Sequence, residues 1–340
     1  MKIVTLALIA AGTVMAPPTM ALDFNFVTSG LNPDALAALD RAGDRWSAYL
    51  TDPITINIDF KMNHLGASVI GGASPWLFEG SYSELRGALL MDAADELDDG
   101  IVSYLPDLAQ ASAYVPQNFS LNGLAATKAN LKALGANAGA LDAMVNTNID
   151  GYIEFSSDFA FDFNAADGIS SGTMDFETVA AHEIGHILGF MSVVDDIDYL
   201  LSQSASAAVS PYLLDLFRFG PNANPSTATD FSSMPRDFRP GVNSYFDDLN
   251  VEVAFSSGEF NGDGRQASHW KDSANNQLGI MDPTLAYAQI SSISAFDLRA
   301  MDLIGYEVAA VPLPASAWFF MAGLFGLSAG RSRPRQDLRS

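Results

Sequence analysis

The stretch VAAHEIGHILGFMS, residues 179–192, places two histidines four positions apart, with a glutamate directly after the first. On a helix, His182 and His186 project from one face, so that one nitrogen of each can reach a single ion at about 2.0–2.1 Å. Glu183 would then lie beside the ion, where a carboxylate can take a proton from a metal-activated water that attacks a carbonyl. This is the chemistry of the His-Glu-x-x-His motif, and it predicts a site for zinc or a similar divalent cation.

A catalytic zinc site usually has three protein ligands and a water, so the two histidines leave one position to fill. The chain has no cysteine, which excludes thiolate ligands and disulfides. Ser192 is a poor ligand, while Asp195 and Asp196 are either ligands or solvated carboxylates of a loop. Two further histidines remain: His64, which we expect to be an ordinary loop residue, and His269, which would supply a third nitrogen.

The order of these motifs resembles that of leishmanolysin-like metzincins. HEIGHILGF at 182–190 is followed by a long insertion at 191–268, HW at 269–270, a methionine in the turn GIMDP, and SAFDLRAMDLIGYEV at 294–308. The resemblance covers about residues 150–309. It implies an α+β zincin fold with a twisted mixed sheet, an active-site helix and a C-terminal subdomain that contains a Met-turn.

The same resemblance implies a role for each site residue. His182, His186 and His269 would bind zinc, Glu183 would be the general base, and Met281 would form the Met-turn beneath the histidines, although methionine is more commonly core filler. Gly189 would let the chain leave the helix through a left-handed turn. Leishmanolysins are rich in disulfides, which this chain lacks, so we expect a bacterial relative.

Both ends of the chain resemble targeting segments. Residues 1–21 have a lysine, an apolar run and small residues, as in a secretory signal peptide cut after Ala21; a buried first helix or an uncut anchor is the alternative. Residues 310–340 contain VPLPA, then an apolar run, then Arg331, Arg333 and Arg335, and resemble the PEP-CTERM sorting signals that exosortases are thought to process. A plain membrane anchor is the alternative there.

These segments leave residues 22–309 as the metallopeptidase domain. We expect the protein to be exported through a transiently membrane-anchored intermediate to the cell surface or the exterior of a Gram-negative bacterium. The net charge of −23 argues against nucleic acid as a partner, because phosphates would be repelled. Hydrophobic residues make up 49% of the chain, which is enough for a sizeable core.

Periodicity and capping residues predict the elements around the motif. We expect helices over 32–50, capped by Asn32, over 83–105, capped by Ser83, and from Asp175 onward. Strands are expected at 54–60 and 152–163, and the latter region is where a zincin would bind extended substrate along an edge strand. Mixing of helices and strands without a regular βαβ rhythm indicates an α+β class.

Three stretches rich in Asp and Gly offer oxygen ligands, at 146–157, 162–168 and 261–264. They are either calcium loops or plain turns. The function predicted from the whole chain is a zinc-dependent endopeptidase acting on protein or peptide substrates. Two alternatives stay open: a non-enzymatic surface or biofilm matrix protein with a structural or lost metal site, and a zinc hydrolase of non-peptide amides.

Overall fold

The computed structural model describes residues 22–66, 69–96, 98–273 and 277–309. The predicted signal peptide and sorting signal lie outside these residues. Within them the protein is a mixed α/β structure whose open sheets contain both parallel and antiparallel pairs, in agreement with the predicted α+β class. None of the helices in these ranges has the length and apolar character needed to cross a membrane.

Each α-helix of the described ranges is preceded by an N-cap residue whose backbone is extended. In chain order they are α1 Pro33–Ser47, α2 Tyr82–Asp92, α3 Lys128–Ala133, α4 Ala138–Val145, α5 Phe176–Leu188, α6 Val193–Ser202, α7 Ala228–Ser233 and α8 Ala295–Asp302. The predicted caps of the first and fifth are confirmed, since Asn32 accepts a hydrogen bond from the Ala35 N–H and Asp175 accepts one from the Thr178 N–H.

The strands of the same ranges are mostly short. They are β1 Asp23–Thr28, β2 Thr55–Asn63, β3 Gly71–Pro75, β4 Leu77–Gly80, β5 Ala113–Tyr114, β6 Ser120–Leu121, β7 Leu124–Thr127, β8 Gly151–Ser156, β9 Phe161–Asp162, β10 Met174–Asp175, β11 Ala208–Val209, β12 Arg218–Phe219, β13 Arg236–Asp237, β14 Tyr245–Asp247 and β15 Glu252–Ala254. A five-stranded sheet, in the order β15-β14-β12-β13-β5, is built mainly from the insertion between α5 and His269.

The sheet that carries the site has the order β1-β2-β8-β3. β1, β2 and β8 are parallel, and β3 is antiparallel to β8. Alternate residues of β2 are fully buried, namely Ile56, Ile58 and Phe60. This burial matches the alternation of apolar and polar residues that predicts a strand there. β8 lies between β2 and β3, so the expectation of an edge strand at 152–163 is wrong; β1 and β3 are the two edge strands of this sheet within the described residues.

The second predicted helix is shorter than expected and has a different cap. Ser81, not Ser83, caps α2 through a capping box with Glu84. The helix ends at Asp92, and 3₁₀ turns follow at Ala93–Asp95 and Asp99–Tyr104. The Asp-Asp-Gly sequence at 98–100 has low helix propensity, which disfavours one continuous α-helix as far as residue 105.

Helices α1 and α5 pack against each other and contact the four-stranded sheet. The indole N–H of Trp46 on α1 donates to the Ala181 carbonyl oxygen on α5 at 2.8 Å. An aromatic cluster joins α5 to the strands, with the ring centre of Phe155 at 5.0 Å from Phe60 and 4.9 Å from Phe176. These buried contacts fix α5 in position over the sheet.

Candidate metal centre

Helix α5 presents the two histidines of the motif on one face. Asp175 caps it by accepting hydrogen bonds from both the N–H and the hydroxyl of Thr178, at 3.1 and 2.6 Å. The helix ends at Gly189, whose φ of +118° lies in the left-handed region. A Cβ at this position would come within 2.0 Å of the Asn130 Oδ1 atom. The predicted left-handed turn after the helix is therefore present, and both its φ and its close packing require glycine.

His269 reaches α5 on a segment that the carboxylate of Asp195 holds. Asp195 accepts hydrogen bonds from the N–H groups of Ala267 and Ser268 and from the Ser268 hydroxyl, with the Ser268 N–H at 2.9 Å. On the other side, the Trp270 indole donates to Asp297 at 2.8 Å. Asp195 is one of the two aspartates considered as a third ligand; its carboxylate instead fixes the backbone that carries His269.

The three imidazole rings converge on one point. The Nε2 atoms of His182 and His269 lie 3.1 Å apart, and that of His186 lies 3.2 Å from each. Among the described residues, these three histidines form a group whose ligand atoms lie close enough together to hold one metal ion. The ring of His269 is nearly parallel to that of His182 and nearly perpendicular to that of His186.

Hydrogen bonds at the outer nitrogen of each ring fix its protonation. A backbone carbonyl can only accept, so each Nδ1 must carry the proton and each Nε2 must present a lone pair. The carbonyl partners are those of Ile280 for His182 at 2.7 Å, Phe190 for His186 at 2.8 Å and Gln266 for His269 at 3.1 Å. Three lone pairs therefore face one another, an arrangement that a shared cation stabilises.

Burial keeps these rings in the neutral form that binds metals. It lowers the pKa of His182, and it lowers that of His186 to about 3, with the neighbouring His182 as a smaller cause. The pKa of His269 is also lowered, mainly by burial and then by the two other histidines. Tetrahedral zinc with Zn–N bonds of 2.0–2.1 Å needs nitrogens about 3.3 Å apart. The observed separations of 3.1–3.2 Å fit that requirement.

Glu183 follows the first histidine and lies under the edge strand. Its Oε1 atom is 3.0 Å from the point where a Cβ on Gly71 of β3 would stand. Burial raises the pKa of Glu183 to about 8, and no hydrogen bond from a described residue offsets this. The glycine leaves room for the carboxylate, which lines the same cleft as the three histidines. Sequence reasoning missed Gly71, because its role depends on a strand that only the fold brings to the helix.

Met281 packs directly against α5 between the histidines. It is fully buried, and its Sδ atom is 2.4 Å from the position of a Cβ on Gly185. The preceding carbonyl, that of Ile280, is the partner of His182. Asp297 of α8 accepts from the N–H groups of Ile280 and Met281, at 2.8 and 3.2 Å, and so holds this turn in place.

An open cleft of about 690 Å³ lies over the three rings. Strand β3 forms one side of it through residues 71–73, together with Val69 and Ile70 just before the strand. Val179 of α5 and the segment 282–285, which follows Met281, line the part beside the helix. The cleft exposes the Nε2 side of the histidines and Glu183 to a space large enough for several residues of an extended peptide.

The remaining sequence candidates lie elsewhere or have other partners. His64 is on the surface, where its Nδ1 atom lies 2.6 Å from Asp158. The Ser192 hydroxyl donates to Asp215 at 2.7 Å, and the Tyr212 hydroxyl donates to Asp196 at 3.1 Å. None of these three candidates belongs to the group of side chains on and near α5 that could hold a metal ion.

The predicted calcium loops carry carboxylates with protein partners. Asp150, in the first loop, pairs with Lys132 at 2.6 Å. Asp162 accepts from the N–H groups of Asn164 and Ser170, at 2.9 and 2.8 Å, and Asp263 pairs with Lys271. These contacts fit turns closed by side chains, and calcium at these loops stays a prediction.

A second group of side chains, Glu96, Asp99 and Asp302, has ligand atoms close enough together to hold a cation. Arg299 already donates to two of its members, Asp99 at 2.6 Å and Asp302 at 2.5 Å. The guanidinium thus supplies the positive charge at this position.

Comparison of the chain with protein-family models, with curated proteins and with solved structures found no match.

Proposed function

We propose that this protein is an exported zinc-dependent endopeptidase of the zincin type. The observation that carries the proposal is the convergence of three imidazole lone pairs beside an unpaired carboxylate, at the floor of an open cleft. A structural metal site is normally closed by four protein ligands, whereas a catalytic one keeps a position open. Three nitrogens with a neighbouring glutamate and access from the cleft match the second kind.

In this proposal His182, His186 and His269 hold the ion, and their carbonyl partners fix the ring orientations. Bound zinc would supply a water whose pKa falls from about 15.7 to about 7, and would polarise the substrate carbonyl. Glu183 would be the group that takes a proton from that water and delivers it to the leaving amine. Its position under Gly71 keeps the carboxylate within the cleft rather than in bulk solvent.

Strand β3 supplies the place where an extended peptide would bind. It is one of the two edge strands of the four-stranded sheet in the described residues, and it is the one whose residues line the cleft. A substrate strand added at this edge would make main-chain hydrogen bonds and run across the three histidines. This favours a peptide bond over a non-peptide amide as the scissile group. Met281, packed under Gly185, would serve as the Met-turn.

The proposal of export rests on residues 1–21 and 310–340. Their order of charged, apolar and small residues supports secretion and a C-terminal sorting step at the cell surface. If the protein were a matrix protein without activity, Glu183 would have no chemical role, because a purely structural site has no use for this carboxylate.

A single substitution separates the two functions. Glu183→Gln keeps the shape of the side chain but removes its ability to take a proton, so cleavage of labelled casein should fall by at least 100-fold while the zinc content stays at one ion per chain. Glu84→Gln on the exposed start of α2 is the matched control and should leave cleavage unchanged. Equal activity of the Glu183 variant and wild type would remove the mechanism. A wild type that binds zinc but cleaves no protein would favour the matrix protein.

A further inference from the structure

The third histidine of the candidate metal centre reaches the other two from a distant part of the chain. His269 follows His186 by 83 positions, and the insertion between them forms most of the five-stranded sheet. A metal ion binds most tightly to ligands that are already held in place, because ordering a mobile segment would use part of the binding free energy. The contacts that hold the segment around His269 therefore bear on the affinity of the site.

Ala267, two residues before His269, lies between two buried groups of opposite charge. It is fully buried, and its N–H donates to the carboxylate of Asp195. Its carbonyl oxygen accepts a hydrogen bond from the Nη2 atom of Arg218 at 2.5 Å. Arg218 is itself only 1% exposed. Both backbone polar groups of Ala267 thus make charge-assisted hydrogen bonds, which are the stronger kind.

The guanidinium of Arg218 is fixed on its other sides. Arg218 belongs to β12, which lies between β14 and β13 in the five-stranded sheet. Its guanidinium carbon lies 3.9 Å from the ring centre of Phe255, and its Nε atom lies 3.4 Å from the carboxylate of Asp215. Asp215 in turn accepts from the Ser192 hydroxyl and the Val193 N–H, at 2.7 and 2.8 Å. Arg218 therefore connects the sheet of the insertion with the start of α6.

The insertion also holds the chain at His269 and just after it. The N–H of Ser256, which follows β15, donates to the carbonyl oxygen of His269 at 3.0 Å. The Ser256 hydroxyl donates to the carbonyl oxygen of Trp270 at 2.9 Å. The segment is thus fixed on both sides of the imidazole, by Arg218 and Asp195 before it and by Ser256 after it.

We propose that Arg218 is a positioning residue of the metal centre, which acts from the side opposite Asp195 to hold the segment that carries His269. The inference rests on the proposed function and deepens it, because it makes the insertion at 191–268 the scaffold of the third metal ligand. Arg218 is not among the described residues that line the cleft, so it acts through His269 and not on a substrate. An arginine that only stabilised the fold would not change the zinc affinity of the folded chain.

The affinity for zinc, measured by competition with a chelator on folded full-length protein, tests this role. Arg218→Met removes the charge and the donors but keeps much of the side-chain length, and it should lower zinc affinity at least about tenfold. Arg236→Met is the matched control, because Arg236 is also buried and donates to three backbone carbonyl oxygens, yet does not line the cleft. It should lower stability and leave zinc affinity unchanged.

A double-mutant cycle then shows whether Arg218 acts through the third histidine. In the His269→Ala background, Arg218→Met should change zinc affinity by less than about twofold, because the ligand that it positions is gone. If Arg218→Met does not fold, Asp195→Asn, which keeps the shape but offers one oxygen acceptor instead of two, takes its place in the same cycle.

Two results would overturn the proposal: unchanged zinc affinity in the single variant, or the same fold-loss with and without His269. A wild type that binds no zinc would reject the metal centre itself, and this inference with it. A wild type that binds zinc but cleaves no protein would reject only the peptidase activity, and the cycle would still decide the role of Arg218.

Discussion

Replacement of Gly189 by alanine tests how far the turn after α5 supports the candidate metal centre. The φ of +118° is a conformation that L-residues rarely adopt, and forcing it costs about 1–3 kcal/mol. The added Cβ would also overlap the Asn130 Oδ1 atom, at 2.0 Å. Relief of this overlap must move a side chain that donates to the Ile304 carbonyl oxygen at 3.2 Å. Overpacking of this kind costs a further 1–3 kcal/mol or so.

We therefore expect Gly189→Ala to lower the free energy of unfolding in urea by at least about 2 kcal/mol. Zinc affinity should fall as well, because the next residue supplies the carbonyl that holds the His186 ring. Gly87→Ala is the matched control: this glycine lies within α2, and a Cβ there would meet nothing within 4 Å. Its replacement should stabilise the protein by about 0.5–1 kcal/mol. Equal stability of the two alanine variants would refute the reasoning.

Three further predictions have defined outcomes in the same urea assay. Asp150→Ala leaves the buried charge of Lys132 without its carboxylate partner and should cost about 3–5 kcal/mol, whereas Lys61→Ala, which breaks an exposed pair, should cost at most about 1 kcal/mol; similar losses would contradict this. Gly185→Ala should lose about 1–3 kcal/mol of stability by overlap with Met281, and the double variant with Met281→Ala should lose less than the sum of the two single losses, so additive losses would be evidence against the contact. Burial raises the folded-state pKa of Asp52 to about 7, above an unfolded value of about 3.9, so folding becomes less favourable as pH rises from 4 to 7. Asp52→Asn should therefore gain of the order of 2 kcal/mol more, relative to wild type, at pH 8 than at pH 4, and an equal difference at both pH values would reject the shift.

The local signals of the sequence predicted the elements that begin at a clear cap. Asn32 and Asp175 mark the starts of α1 and α5 as expected, because a short polar side chain before an amphipathic run has few other roles. The prediction for α2 was wrong at both ends. Its competing serines are two residues apart, and only the capping box with Glu84 decides between them.

The edge strand could not be predicted from its own residues. Gly71–Pro75 reads GGASP, a sequence with low strand propensity. It becomes a strand because β8 supplies its partner, and its glycine is needed because Glu183 lies against it. The role of Asp195 was hidden for a similar reason. Its backbone partners are 72 and 73 residues away in the chain, so no local pattern records them.

The measurement that tests the central claim most directly is zinc binding by wild type and by His269→Ala, followed by competition with a chelator. His64→Ala is the matched control, because it removes an exposed imidazole distant from the other three. We expect one zinc per chain in wild type and in His64→Ala, and an affinity at least 100-fold lower in His269→Ala. A wild type that binds no zinc, or a His269 variant that binds it as tightly as wild type does, would contradict the account.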